Sequence, residues 1–270
     1  MNQIYNKIVG LTVLISGLAI AQRPVPAPKQ TTPIAITNAT IHTGTGTVIQ
    51  NGSIVFDQGK IVSINSSIPT NARVINASGK HVYPGFILVN NSLGLIEISS
   101  NKATDDTKES NPFVPEVRTM VGFNSDSHVI PTVRTNGVLL TQPVMSGGVL
   151  RGTSSIMNLD GWNGEDAVVS RDNVLHLSWP EARKIPDEKR NKEFAEARIR
   201  NIAEVKSLFA RAKSYQAKSG IKDFKLEAIA PVFNGAKTLF VDVNGPNDVL
   251  EVIKFAQDYG VKKTVLIGDS

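Results

Sequence analysis

The chain contains no cysteine in 270 residues. That absence excludes a disulfide framework and an N-terminal cysteine carrying a lipid anchor. Histidine is scarce: His42, His81, His128 and His176 are the full set. His128 and His176 belong to no pair with metal-ligand spacing, and His42 and His81 read as surface or half-buried polar residues of β-strand segments. Long apolar runs are also missing. The stretch from Ile8 to Ile20 falls short of the roughly 20 residues needed to span a bilayer. Basic residues exceed acidic ones by five, but they are dispersed and not interleaved with aromatics. Nothing here forms a nucleic-acid footprint.

What is present begins with an export signal. Lys7 supplies a positive n-region, Ile8 to Ile20 the apolar segment, and Ala19-Ile20-Ala21 a small-x-small cleavage pattern. Residues 1–21 are therefore expected to be a signal peptide cleaved after Ala21. The mature chain would start at Gln22 and be periplasmic or secreted, with no membrane association after processing. Residues 22–33 are proline-rich and polar and read as a linker. A hydrophobic content of 41% is enough for a sizeable core.

Residues 34–83 show short alternating or β-rich runs separated by turns, such as Asp57-Gln58-Gly59-Lys60 and Asn76-Ala77-Ser78-Gly79. The character changes at Pro84-Gly85. Phe86-Ile87-Leu88-Val89 is a continuous apolar run, as expected of a strand buried on both faces of a parallel sheet, and Gly137 to Val144 is a second. Residues 101–136 between them are polar and proline-bearing and read as an insertion. Pro180 to Lys218 is helical, with Phe194, Ile199, Ile202, Val205, Leu208 and Phe209 forming an apolar stripe. Strand Thr238–Val243, helix Asn247–Tyr259 with Gly260 at its C-cap, and strand Thr264–Ile267 make a βαβ unit. The fold class expected is α/β: a small N-terminal β-sandwich module at 34–83, then an incomplete TIM-like (β/α) barrel over 84–270.

Asn76-Ala77-Ser78-Gly79-Lys80 followed by Tyr83-Pro84-Gly85-Phe86-Ile87 resembles the opening of metal-dependent amidohydrolases, especially the imidazolonepropionase-like group. The likeness continues through Asn136-Gly137-Val138, Gly147-Gly148, Leu159-Asp160-Gly161 and the closing βαβ unit. It implies a β-sandwich leading into a distorted barrel, a zinc centre, and hydrolysis of non-peptide C–N bonds of cyclic-amide type. The family's first barrel strand carries an Asp followed by two alternating histidines. Here Leu88 stands at the Asp, and Asn90 and Ser92 stand at the histidines. Asp242 falls where a further ligand histidine belongs, and Gly268 near another. No metal ligands are assigned, so zinc is implied by resemblance alone. Asn90 and Ser92 remain candidate substrate-binding residues.

Asp242 also stands on its own position. It lies at the C-terminal end of a barrel strand, where barrel enzymes keep their chemistry, and is the candidate catalytic carboxylate. The resemblance leads to two readings. One is an exported hydrolase acting on a small molecule, impaired as this chain alone and completed by a partner chain supplying a missing C-terminal half. The other is a catalytically dead relative that binds a small ligand or a partner.

Overall fold

The computed structural model describes residues 25–98, 101–182, 186–215 and 222–268. The signal peptide expected at 1–21 lies outside them. The described residues form two sheets.

The first sheet takes up residues 34–82. Its strands are β1 (Ile34–His42), β2 (Val48–Asp57), β3 (Lys60–Ile64), β4 (Arg73–Asn76) and β5 (His81–Val82). Their order is β3-β2-β1-β4, with β5 also paired to β1. β1 runs antiparallel to β2 and parallel to β4 and β5. Asn38 sits at a positive φ of 59°, beside a register shift in the β1–β2 ladder. Such a bulge bends a strand. It lets β1 pair with β4 along its first half and with β5 near its end. The core of this unit is small: Ala39, Ile41, Ile54 and Ala77. Ile61, Val62 and Val74 are more than half exposed. The unit is a single sheet among the described residues, rather than the two layers of a sandwich.

The second sheet has six strands in the order β11-β10-β9-β8-β7-β6. They are β6 (Phe86–Asn91), β7 (Val138–Pro143), β8 (Leu150–Asn158), β9 (Val168–Ser178), β10 (Thr238–Val243) and β11 (Thr264–Gly268). The β6–β7, β9–β10 and β10–β11 pairs are parallel. β8 is antiparallel to both neighbours, so five strands run one way and β8 the other. The sequence reading lacked this reversal, because β8 is rich in serine and threonine and has no apolar run.

Short helices α1 (Thr119–Gly122), α2 (Val129–Thr135) and α3 (Gly164–Ala167) lie around β7 and β8. The segment read as an insertion has a structural task. β8 pairs with β7 only through Asn158 and Met157. Its first half is edged instead by residues 112–118: the Val114 N–H donates to the Leu150 carbonyl at 2.8 Å and the Thr153 N–H to the Val117 carbonyl at 2.7 Å. Those contacts satisfy β8 backbone groups that would otherwise be orphaned in the interior.

The main core lies on one face of β9 and β10. Leu175 and Leu177 alternate outward from β9, and Leu239, Val241 and Val243 from β10. They meet Val205, Leu208 and Phe209 of the long helix α4 (Glu188–Ser214), Leu226 and Ile229 of α5 (Phe224–Ile229), and Val252 and Phe255 of α6 (Pro246–Tyr259). Each such side chain is worth about 1.5–3 kcal/mol when fully buried. α4 has 27 residues, about 40 Å at 1.5 Å per residue, which exceeds the length of the strands beneath it. Only its second half is therefore buried, and Phe194 and Ile199 of the expected stripe stay 37% and 67% exposed. α6 ends where Gly260 adopts a positive φ of 76° and returns its N–H to the carbonyls of Ala256 and Gln257.

One expectation is corrected. Phe86 to Val89 is not buried on two faces: Phe86 is 66%, Ile87 54%, Leu88 36% and Val89 55% exposed. β6 is an edge strand, paired with β7 alone, and no helix among the described residues covers it.

Candidate functional site

In the second sheet, side chains opposite the helix-facing set form an inner face. On β10 these are Thr238, Phe240 and Asp242, alternating with the core residues. On β9 they are Val174, His176 and Ser178. At the C-terminal ends of the parallel strands this face opens into a cleft of about 420 Å³. Asn90 from β6, Ser178 from β9, Asp242 from β10 and Gly268 from β11 line it. Ser146, Arg151, Trp179, Asn244 and Ile267 complete the wall.

Asp242 does not stand free in this cleft. Its Oδ2 accepts hydrogen bonds from Nη2 of Arg151, in close contact, and from Ser178 Oγ at 3.3 Å. Arg151 is 8% exposed along its side chain and Asp242 26%. Nη1 of Arg151 donates to the Met145 carbonyl at 3.1 Å. Burial lowers the pKa of the guanidinium from its ordinary value, and the carboxylate of Asp242 works against that shift. Arg151 reaches the mouth only because β8 is reversed, since its first residues lie where the parallel strands have their last. Asp242 Oδ1 and Arg151 Nε are buried with no protein hydrogen-bond partner among the described residues.

Asn90 and Asp242 are thus brought into one cleft. Asn90 sits at φ 51°, at an irregularity where the β6–β7 register shifts between Leu88 and Asn91. Its neighbour Asn91 is fixed to β7 through the Thr141 hydroxyl at 3.0 Å and the Gln142 carbonyl at 3.2 Å. Ser92 is not among the cleft residues. It begins the turn after β6, its carbonyl accepting the Leu95 N–H at 2.9 Å.

Beneath the cleft lies a polar layer that the sequence did not reveal. His176 is 1% exposed, and its Nε2 meets Ser154 Oγ at 2.7 Å. Its ring packs edge-on to Phe240. Burial, with the positive charge of Arg151 adding to it, depresses the pKa of His176 to about 3, so the ring is neutral at neutral pH. A hydroxyl beside a neutral imidazole is the beginning of a nucleophile–base pair. Both residues are closed off, however, and the other ring nitrogen, Nδ1, has no hydrogen-bond partner among the described residues to orient it. The pair is a packing element. At the opposite end of β10, buried Lys237 donates to the Ala228 carbonyl at 2.8 Å and to Thr153 Oγ1 at 3.2 Å, and burial lowers its pKa to about 8. Arg151, Ser154, His176 and Lys237 had no sequence signal beyond being polar residues among buried ones.

His128 lines a separate cavity of about 830 Å³ between the start of α2 and residues 159–161, where Glu97 accepts from Asn124 and Ser127 and Arg134 pairs with Asp160. Neither Asn90 nor Asp242 reaches it.

The donor set at the cleft does not fit a hydrolytic zinc. Such a site wants several neutral imidazoles or carboxylates about 2 Å from the ion. The cleft offers one carboxylate, and it already carries a guanidinium. No cluster of three or more His, Cys, Asp or Glu capable of holding a metal exists among the described residues.

No family model matches the chain, and no functionally described protein matches it in sequence. Solved structures do match in shape. An amidohydrolase from Thermotoga maritima MSB8 superposes with a TM-score of 0.73 at 19% identity, over 86% of this chain and 63% of that one. A prolidase complexed with N-methylphosphonate-L-proline and a second amidohydrolase each reach a TM-score of 0.41, at 12% and 14% identity; each match covers 86% of this chain and 60% of the other. The chain therefore shares the fold of the Thermotoga amidohydrolase while spanning 63% of that protein's length.

Proposed function

We propose that this is an exported relative of the metal-dependent amidohydrolases in which an internal ion pair has replaced metal chemistry at the mouth of the sheet, leaving a cleft that binds a small molecule. The observation that carries this reading is the hold of Arg151 on Asp242. The pair makes the cleft wall neutral in charge. Around it stand Asn90, Ser146, Ser178 and Asn244, which can donate and accept hydrogen bonds, and Trp179 and Ile267, which offer apolar contact. Such a lining favours a neutral, dipolar ligand such as a cyclic amide over an anion or a free cation.

The fold supports a second reading: hydrolysis of a non-peptide C–N bond, with metal donors brought by a further segment or a partner chain. The observation favouring it is the exposed apolar edge at β6, at the site of the missing histidine pair. Export follows from the leader sequence, and the mature protein in the extracytoplasmic fraction should begin at Gln22.

The experiment is metal analysis of the purified mature chain, paired with calorimetric titration of neutral cyclic amides and of their ring-opened acids. Binding of the amides without turnover or stoichiometric zinc, weakened by Asn90→Ala or Ser178→Ala, is the expected result. About one zinc per chain that survives dialysis and is lost in Asp242→Ala would overturn the reading, as would release of a ring-opened product.

A further inference from the structure

The stretch ahead of β1, read from the sequence as a linker, is held at two points. Gln30 donates from Nε2 to the Phe56 carbonyl of β2 at 2.9 Å. The Ala27 N–H donates to Asp160 Oδ2 at 3.1 Å, across 133 positions of sequence. Asp160 is itself fixed by Arg134 of α2 at 2.8 Å. The stretch therefore bridges the first sheet and the α2 region, and Pro26 forms part of the wall of the 830 Å³ cavity there.

We propose that the three residues before Val25, Gln22-Arg23-Pro24, occupy this cavity, with the Arg23 guanidinium set against Glu97 and Asp126. Continuity is the first argument. The chain already lies in the cavity wall at Pro26, and three extended residues beyond Val25 reach about 10 Å, close to the edge of a cube of that volume. Charge is the second. The lining carries three carboxylates, those of Glu97, Asp126 and Asp160, against one guanidinium, that of Arg134, which is committed to Asp160. The neutral donors Asn124 Nδ2 and Ser127 Oγ, each at 3.1 Å, hold the Glu97 carboxylate in position without cancelling its charge. A guanidinium delivered by the chain itself complements that surplus and suits the geometry of a carboxylate. Stiffness is the third. Pro24, Pro26 and Pro28 alternate with Val25 and Ala27; each proline fixes its own φ and biases the residue before it toward extended backbone. Docking such a segment forfeits little conformational freedom. The cavity is thus filled by a strap from the same chain, which ties the first sheet to the second.

The test exploits the lack of cysteine: a nitroxide spin label on Gln22→Cys is the only label on the chain. Its paramagnetic resonance spectrum should be that of an immobilised side chain, and should become mobile when Glu97→Gln and Asp126→Asn are added or when Arg23→Glu is added. A second measurement uses a chain lacking residues 22–26 and the free peptide Gln-Arg-Pro-Val-Pro. The truncated chain should bind the peptide saturably, about tenfold more tightly than the same peptide with Glu in place of Arg, and the unaltered chain should not bind it. A mobile label in the otherwise unaltered chain, or a spectrum indifferent to the three charge changes, would overturn the proposal. So would arginine amide binding the unaltered chain as tightly as the truncated one, which would make the cavity an open site for an external cation. If the truncated chain fails to fold, the label mobility decides alone.

Discussion

The carboxylate of Asp242, at the end of β10, is gripped by the guanidinium of Arg151, at the start of the antiparallel strand β8, and the two lie 91 positions apart in the sequence. This contact ties a reversed strand to a parallel one across β9. It also sets the charge of the cleft.

Breaking that contact from one side should cost more than removing it altogether. Arg151→Met leaves a half-buried carboxylate without its cation, and Asp242→Leu leaves a buried guanidinium without its anion. Each single change should destabilise the chain by about 3 kcal/mol, whereas the double variant should lose less than either. Denaturant unfolding of the four proteins measures the coupling. Additive losses would show that the two groups act separately.

His176 should make the fold sensitive to mild acid. Its pKa is pushed down to about 3 in the folded chain from 6.5. A depressed histidine takes up its proton more readily when unfolded. Its contribution is thus fully kept above about pH 6.5 and is lost as pH falls toward about 3. The loss approaches about 1.4 kcal/mol per pH unit inside that window. In His176→Gln the slope of stability against pH between 6 and 4 should be visibly shallower than in the unaltered chain. Equal slopes would mean that the histidine is hydrated rather than buried.

The edge at β6 should govern association. Phe86, Ile87 and Val89 present apolar surface beside unpaired backbone groups, a combination that recruits other strands. Light scattering should show concentration-dependent self-association of the chain, and Ile87→Lys with Val89→Lys should reduce it without lowering the unfolding temperature. Val265 of β11 is 41% exposed, so a lysine at that position tests the other edge. If neither edge matters, the oligomers form elsewhere.

Gly260 carries a local requirement. Its φ of 76° is costly for any residue with a Cβ, and the space around it is open apart from the tip of Lys213 at 3.4 Å. Gly260→Ala should therefore cost about 1 kcal/mol through backbone strain alone. A neutral result would mean that the end of α6 rearranges.

The closing βαβ unit could be read from the sequence because its signals are local and agree with one another. Val249, Val252, Ile253 and Ala256 read as one helix face, of which Val252 is buried while Ile253 stays 42% exposed; Gly260 ends the helix, and the flanking strands are β-branched. The mouth residue Asp242 followed from that unit. Asn90 came from motif comparison and does line the cleft, whereas Ser92 two residues on does not. Arg151, the partner that defines the site, was hidden: β8 has a serine- and threonine-rich sequence with no apolar alternation, and its antiparallel direction is set by pairing with β9. The burial expected for Phe86 to Val89 failed because a continuous apolar run describes composition and says nothing about whether neighbours are there to cover it. His42 and His81 were separately visible, but the hydrogen bond between their rings at 2.9 Å depends on the parallel pairing of β1 with β5, a long-range property.

The reversal of β8 also bears on the order of assembly. β7, β8 and β9 follow one another as a meander, so their pairings close short loops, whereas β6 must find β7 across residues 92–137 and β10 must find β9 across residues 179–237. Short loops close at less entropic cost and form sooner. The meander is thus the natural nucleus of the larger sheet. Arg151 would be in place before Asp242 arrives, and late docking of β10 would be steered by a cation already waiting at the rim.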